Sequence, residues 1–333
     1  MRAMVLSAQA AVETSPLSAS DQPMPEPGPG EARVRVRACG ACRTDIHVIE
    51  GDLPARRLPL VPGHQVVGTV DALGPGATRF RAGDRVGIAW LRSTCGRCRF
   101  CLGGSENLCA QSTYTGWTHD GGYAEYACVP EAFAYAIPPV FGDAEATPLL
   151  CAGIIGYRAL RRSQVPKGGR LRLYGFGSSA HVTLQVARHW GCTVYVATRE
   201  PARQRLALEL GAAWAGAAGD PLPDKLDGAI VFAPVGALVP IALRDLDKGG
   251  TVALAGIHMT DLPAMAYEPH LFWEKTLRSV TANTRADGEA LLAEAAAIPI
   301  RPRVTRYRLE DANRALADIK SSEVEATAVL MLD

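Results

Sequence analysis

The chain has 333 residues, enough for about two domains with a sizeable core, which excludes a small disulfide-stapled scaffold. Apolar residues make up 48% and charged residues 21%, an ordinary globular balance that excludes disorder and fibrous repeats. With 35 Lys plus Arg against 34 Asp plus Glu, the net charge is +1, so no broad basic field exists to hold nucleic acid or an anionic membrane.

The N-terminal stretch MVLSAQAAV is diluted by Ser and Gln and shows no leader pattern, so a cytoplasmic address is expected. Residues 31–39, EARVRVRAC, alternate strictly, with Val34, Val36 and Ala38 on one side and Arg33, Arg35 and Arg37 on the other, the two-residue period of a half-buried strand. Further strands are predicted at 66–74, 84–90 and 123–130, separated by Gly/Pro clusters, so the first 140 or so residues read as mostly β. From Glu145 the period changes: ATPLLCAGIIGYRALRR spaces its apolar residues by three and four and ends in arginines, as a helix C-terminus favours.

The middle alternates strand and helix: strands at 170–175, 193–198, 227–233, 251–256 and 277–282, helices at 178–190 and 201–210, the latter with Pro201 at its first turn and Gly211 just past its end. That is a βαβ series with a parallel sheet. Its longest weakly polar run, Gly228 to Leu243, is broken by Pro234 and Pro240 and falls short of the ~18 residues of a membrane span. After Arg285, helical patterns at 287–297 and 310–320 and strands at 303–308 and 328–332 are assigned back to the first domain.

Three motifs carry chemistry. Cys95, Cys98, Cys101 and Cys109 can close a tetrahedral thiolate shell around one Zn2+ from a single loop, and a closed shell is structural. Such a site carries about −2 locally, which Arg92, Arg97 and Arg99 are placed to offset. The second motif is dispersed: Cys42, His64 and Cys151. Singly, the cysteines read as small core filler and the histidine as a turn residue; together, with Thr44, Asp45 and His47 just after Cys42, they match the Cys2His shell of a catalytic zinc. The leftover Cys39, Cys128 and Cys192 read as filler. The third motif, Gly175-Phe176-Gly177-Ser178-Ser179-Ala180, lies between a strand and a helix, where Gly175 permits the tight turn, Gly177 lets backbone approach a pyrophosphate, and the helix N-terminus offers N–H groups. Thr198 stands where an NAD site has an acid, and Arg199 and Arg203 follow, which favours NADP(H). Glu200 opposes this: if it points inward while Arg199 faces solvent, NAD(H) is favoured.

The runs GACRTDIHVIEGDLP, VPGHQVVGTV, the four-Cys loop, HDGGYAEY, LLCAGIIGYRAL and YGFGSSAH stand in the order of the zinc-dependent medium-chain alcohol dehydrogenases, which the chain resembles over nearly its whole length. The resemblance implies an α/β protein with a mostly-β GroES-like catalytic domain (1–150 and 284–333, structural zinc loop 92–110) and a Rossmann doubly wound parallel-sheet domain (151–283). It implies two Zn2+ per chain, a nicotinamide cofactor, an alcohol or aldehyde substrate, and a homodimer or homotetramer. Thr44 would accept the alcohol proton and pass it by way of a cofactor hydroxyl to His47, and Asp45 would orient His64. Arg43 would reach the pyrophosphate, Ala233, Ala255 and Ile257 would meet the nicotinamide, Arg285 would add a phosphate contact, and Trp90 and Trp117 would wall an apolar pocket. The usual Gly-His-Glu is Gly63-His64-Gln65 here, which puts the transient extra metal ligand of relatives in doubt. A non-catalytic zinc- and nucleotide-binding relative would have no need of the Thr44–His47 relay, and a zinc-free quinone reductase on the same scaffold no use for the Cys2His trio.

Overall fold

The structure, a computed structural model, describes residues 1–298, 300–324 and 326–332. It divides into a unit of Met1–Cys151, Ala282–Ala296 and Pro302–Asp333 and a unit of Ala152–Thr281 and Ala297–Arg301.

The first unit opens with the antiparallel pair β1 (Arg2–Leu6) and β2 (Leu17–Asp21). Next come β3 (Glu31–Ala41), α1 (Arg43–Glu50), β4 (Gln65–Leu73), β5 (Arg85–Ile88) and β6 (Leu91–Ser93). A zinc-motif lobe holding α2 (Arg99–Leu102) leads to β7 (Thr113–Tyr114), β8 (Tyr126–Pro130), β9 (Ala134–Ala136) and α3 (Asp143–Ala146). The second unit runs α4 (Ala152–Arg162), β10 (Arg170–Tyr174), α5 (Ser178–His189), β11 (Thr193–Ala197), α6 (Pro201–Glu209), β12 (Trp214–Gly216), β13 (Leu226–Val231), α7 (Leu238–Asp245), β14 (Leu246–Leu254) and β15 (Thr276–Ser279). The chain then returns with α8 (Arg285–Ala297), β16 (Val304–Arg308), α9 (Ala312–Lys320) and β17 (Thr327–Met331).

β3 carries the alternation read from its sequence. Ala32, Val34, Val36 and Ala38 are buried and Arg35 and Arg37 exposed. From Ala38 onward the strand is buried on both faces, because β17 and β4 flank it and the segment around α3 packs over it. The sheet runs β16-β17-β3-β4-β5-β9, with β8 also paired to β3. Its core joins Val34, Val36, Cys39, Ile46, Val66, Tyr123 and Leu330.

The helix predicted across residues 146–162 is interrupted. α3 ends at Ala146, Thr147–Leu150 tighten into a 3-10 turn with Pro148 in its first turn, and Cys151 stands outside helical geometry at φ −134°, ψ −72° before α4 begins. Pro148 has no N–H to offer a preceding helical turn, so the break falls where the sequence cannot continue a regular helix. Cys151 is thereby placed at a bend.

The second unit is a parallel sheet of order β12-β11-β10-β13-β14-β15. In this doubly wound order the strand sequence reverses between β10 and β13, and ligands bind at the carboxyl ends beside that reversal. β12 and α7 add to the strands and helices read from the sequence. A fully buried cation, Arg172 on β10, is unexpected in a strand covered on both faces. It donates to Asp245 (2.6 Å) and the Ala217 carbonyl (3.0 Å) and lies over the rings of Tyr174 and Trp214 at 5.0 and 5.1 Å. Tyr174 donates to the same carboxylate at 2.5 Å. A buried charge persists only when paired and hydrogen-bonded in this way.

Candidate metal centres and dinucleotide turn

The four cysteines of the lobe converge. Their sulfurs all lie within 4.8 Å of one another and none forms a disulfide. Zn–S bonds of about 2.3 Å in a tetrahedron set neighbouring sulfurs about 3.8 Å apart. The observed separations are 3.5 Å for Cys98–Cys101 and 3.9 Å for Cys95–Cys101. Backbone N–H groups of Arg97 and Cys98 favour the ionised sulfur and bring the Cys95 thiol down to about 6. The thiols fit a zinc ion with no open position. Arg92 does not offset their charge as expected, being buried and paired with Glu31 (2.5 Å) and the Cys128 carbonyl. Arg99 lies over the Phe100 ring at 4.5 Å.

The dispersed trio is also assembled, with the donor atoms of Cys42, His64 and Cys151 within 4.8 Å of one another. Around a tetrahedral zinc a sulfur and an imidazole nitrogen lie about 3.6 Å apart; Cys42 Sγ and His64 Nε2 lie 3.4 Å apart. Among the described residues no fourth His, Cys or carboxylate joins them, so an ion here would keep a position for an outside oxygen.

Local sequence explains the convergence. Cys42 is the N-cap of α1, and its sulfur accepts from the Thr44 N–H at 3.3 Å. Asp45 closes the capping box, accepting from the Cys42 N–H (2.9 Å) with one carboxylate oxygen and lying 2.9 Å from His64 Nδ1 with the other. The carboxylate thus fixes the imidazole with Nε2 toward the sulfurs. A hydrogen bond from Cys151 and then the His64 charge, working against burial, hold the Cys42 thiol well below its usual range, while that same bond and burial push Cys151 up. Burial opposes a charged His64, but Asp45 and Cys42 outweigh it and raise the imidazole to about 10.

His47 is half-buried with Nδ1 2.7 Å from Asp52, a partner the sequence reading did not include. Gly51, at φ 95°, ends α1 and turns the chain back so that Leu53 N–H bonds to the His47 carbonyl, which delivers Asp52. Trp90 meets His64 edge-on at 5.1 Å and stacks with Trp117 (5.8 Å) and with Tyr114 (5.0 Å), also unforeseen. Gln65 is fully buried with neither amide atom hydrogen-bonded among the described residues. Arg43 is exposed, its guanidinium 3.5 Å from the Ile319 carbonyl. The phosphate contact expected of Arg285 gives way to a structural pairing. Its N–H, Nε and Nη2 all donate to Glu106, at 2.8, 3.0 and 2.7 Å, and its guanidinium lies over Phe133.

In the second unit Gly175 leaves β10 at φ 92°, and a Cβ there would lie 2.9 Å from the Ala233 nitrogen, so only glycine fits. Gly177 caps α5 with nothing within 4 Å of its missing side chain, the open approach a pyrophosphate needs. Phe176 is buried, Ser178, Ser179 and Ala180 form the first turn of α5, and Ala233 and Ala255 follow the carboxyl ends of β13 and β14 with Ile257 exposed beyond. Thr198 is buried after β11, and its hydroxyl donates to Glu200 at 2.9 Å. The Arg199 side chain is 94% exposed, and Arg203 lies 4.0 Å from Glu200.

Two family models match the chain: an alcohol dehydrogenase GroES-like domain over residues 28–139 and a zinc-binding dehydrogenase domain over 180–297. A Mycobacterium tuberculosis protein named as probable alcohol dehydrogenase AdhA is 55% identical over 300 residues, 89% of this chain and 87% of the relative. A cinnamyl alcohol dehydrogenase from Sorghum bicolor superposes with a TM-score of 0.90 at 28% identity, covering 99% of this chain and 97% of its own. The structure of an NAD-dependent alcohol dehydrogenase superposes with a TM-score of 0.89 at 26% identity over 100% of both chains.

The Glu106–Arg285 pairing has a definite pH signature. Although burial opposes it, the hydrogen bonds from Arg285 hold the Glu106 carboxyl below its ordinary value, so its contribution is complete above the unfolded carboxyl pKa and is lost as pH falls through the folded one. Glu106→Gln is expected to cost about 1–2 kcal/mol at pH 7, moderated by solvent around Arg285. Its melting temperature, compared with wild type from pH 7 to pH 4, should converge as the acid limit is approached; a constant gap refutes the pairing.

Proposed function

The chain belongs to the zinc-dependent medium-chain alcohol dehydrogenase family, and we propose that Cys42, His64 and Cys151 are its catalytic-zinc ligands while Cys95, Cys98, Cys101 and Cys109 hold a second, structural zinc. The enzyme is an oxidoreductase that moves a hydride between an alcohol, or its carbonyl counterpart, and a nicotinamide cofactor. One observation supports the ligand reading above the rest: three donors from remote stretches of chain meet at spacings that suit a tetrahedral ion.

When bound at the trio, zinc supplies Lewis acidity that lowers the pKa of an alcohol and polarises a carbonyl. The protein does the rest. Asp45 fixes the tautomer of His64 and the cap of α1. Thr44, in the first turn of that helix, takes the hydroxyl proton, and His47, steadied by Asp52, passes it to solvent. Trp90, Trp117 and Tyr114 form an aromatic wall beside His64 that favours apolar alcohols and aldehydes. Gly175 through Ala180 cradle the cofactor pyrophosphate at the α5 N-terminus.

His64→Ala should reduce zinc from two per chain to one and abolish turnover while leaving the fold intact, as read by metal analysis, activity and circular dichroism. Two retained zincs or retained turnover would remove His64 from the ligand set.

For the cofactor we depart from the NADP(H) expected from Thr198, Arg199 and Arg203 and propose NAD(H). Arg199 faces solvent while Glu200 turns in to the Thr198 hydroxyl, which leaves a carboxylate beside the end of β11 that suits a ribose hydroxyl and repels a phosphate. kcat/KM for NADH is expected to exceed that for NADPH by about tenfold or more, worth about 1.4 kcal/mol, with Glu200→Ala narrowing the gap. A preference for NADPH in the wild type overturns this.

We also propose a homodimer or homotetramer in the cytoplasm. β15 ends the six-stranded sheet without a further strand among the described residues, and Tyr267, Phe272 and Trp273 near it expose 66%, 51% and 42% of their surfaces. The clustered, unbridged cysteines suit a reducing compartment. Sedimentation equilibrium that finds only monomer at micromolar concentration refutes the assembly.

A further inference from the structure

The aromatic wall beside His64 continues outward as a stack and ends in a cation that has no part in hydride or proton transfer. Trp90 meets the His64 ring edge-on at 5.1 Å, Trp117 lies nearly parallel to Trp90 (9°) at 5.8 Å, and the Arg56 guanidinium lies over the Trp117 ring at 5.5 Å. Tyr114 flanks both indoles, at 5.0 and 5.4 Å. Burial falls along this row. His64 is fully enclosed, Trp90 is 8% exposed, Trp117 is half-buried and Arg56 is exposed. The row therefore runs from the proposed metal site to solvent, with apolar surface along its length and a positive charge at its outer end.

The loop fixes Arg56 from both sides. The carbonyl of Pro54 accepts from Trp117 Nε1 at 3.0 Å, and Arg57 pairs with Asp120 at 3.0 Å. Asp120 in turn accepts from the Val61 N–H at 2.9 Å, where the loop ends. The carboxylates beside the loop are engaged, Asp120 by Arg57 and Asp52 by His47 at 2.7 Å. The Arg56 side chain, by contrast, forms no ion pair and no hydrogen bond among the described residues. Contact with a ring uses none of its N–H donors, so the whole planar fork is free for an acceptor from outside. One such fork matches one carboxylate through two parallel hydrogen bonds.

We propose that Arg56 is a specificity-determining residue, and that the site takes best those aldehydes and alcohols that have a flat apolar body and a carboxylate at the end away from the reacting carbon. The reacting carbon lies at the proposed metal site, the body lies along Trp90 and Trp117, and the carboxylate meets Arg56. The proposal rests on Cys42, His64 and Cys151 holding the metal and on this wall receiving the substrate.

The test uses the full zinc-loaded enzyme with its nicotinamide cofactor and two aldehydes of different length, 4-formylbenzoate and 4'-formylbiphenyl-4-carboxylate, each beside its methyl ester. The ratio of acid to ester cancels what the rings contribute and isolates the charge. For the biphenyl pair, wild-type kcat/KM should be about fivefold higher for the acid, the upper end for a solvent-exposed charge pair, and the difference should lie in KM. The single-ring pair, too short to lie along both indoles, should show little preference. Salt at about 0.5 M should shrink the biphenyl ratio. Arg56→Gln should bring it to about one and Arg56→Glu should invert it, while Arg57→Gln, at the neighbouring paired cation, should preserve it. A readout without turnover uses 4'-carbamoylbiphenyl-4-carboxylate, which accepts no hydride: quenching of tryptophan fluorescence should show about fivefold weaker binding to Arg56→Gln than to wild type. If Arg56 only steadied Trp117, its replacement would move acid and ester together, and an unchanged ratio in Arg56→Gln overturns the proposal. A wild type that reduces the esters with no preference for the biphenyl acid overturns it and leaves the metal reading standing. A wild type that reduces none of the four aldehydes overturns it too, and one that also holds a single zinc overturns the metal reading with it.

Discussion

One buried carboxylate couples local folding to the proposed metal site. Asp45 closes the capping box of α1 through the Cys42 N–H and orients the His64 ring through Nδ1, so the helix cap and two of the proposed metal donors share a single side chain. Burial raises the carboxyl pKa and works against the charged form; the facing imidazole and the Cys42 N–H compensate only in part. The arrangement is stable only while its partners are present. The helix cap and the histidine turn therefore form one cooperative element, and neither the Cys42 thiol nor the His64 imidazole would hold its place if α1 frayed.

Cofactor chemistry rests on a different constraint, the strand order of the second unit. Reversal between β10 and β13 brings the Gly175 turn against Ala233, and the approach is so close that a single Cβ would separate them. The backbone proposed for phosphate recognition is thus set by packing within the sheet, while the proposed discrimination between the two dinucleotides is left to a few side chains beyond β11. Scaffold and selectivity are physically separable.

Signals confined to short stretches of chain were legible in the sequence. The alternation of β3, the spacing of the four lobe cysteines and the glycine turn before α5 each depend on neighbours within one loop or strand. Contacts that depend on folding were not. Glu106 and Arg285 are 179 residues apart, so nothing in the local pattern around Arg285 shows that its guanidinium is already engaged. Tyr114 and Asp52 reach the site through a ring stack and a turn, and their residue types alone point equally to core and surface. The break at Cys151 was hidden by an apolar period that runs through it unchanged, since the period records which side faces inward and not whether the hydrogen bonds continue. Arg199 and Glu200, adjacent in sequence, show the limit most sharply: side-chain direction at a strand end is decided by the hydroxyl next door.

The link between Glu106 and Arg285 also bears on how this lobe could be lost in evolution. Replacing its cysteines one after another would remove the proposed ion site but leave the carboxylate bonded to both the backbone N–H and the guanidinium at the start of α8. Excising the whole loop would strip that arginine of its acceptor and uncap the segment that returns to the sheet. Descendants should therefore shed the cysteines long before they shed the loop, and a shortened lobe should come with a compensating acid or a neutral residue at position 285.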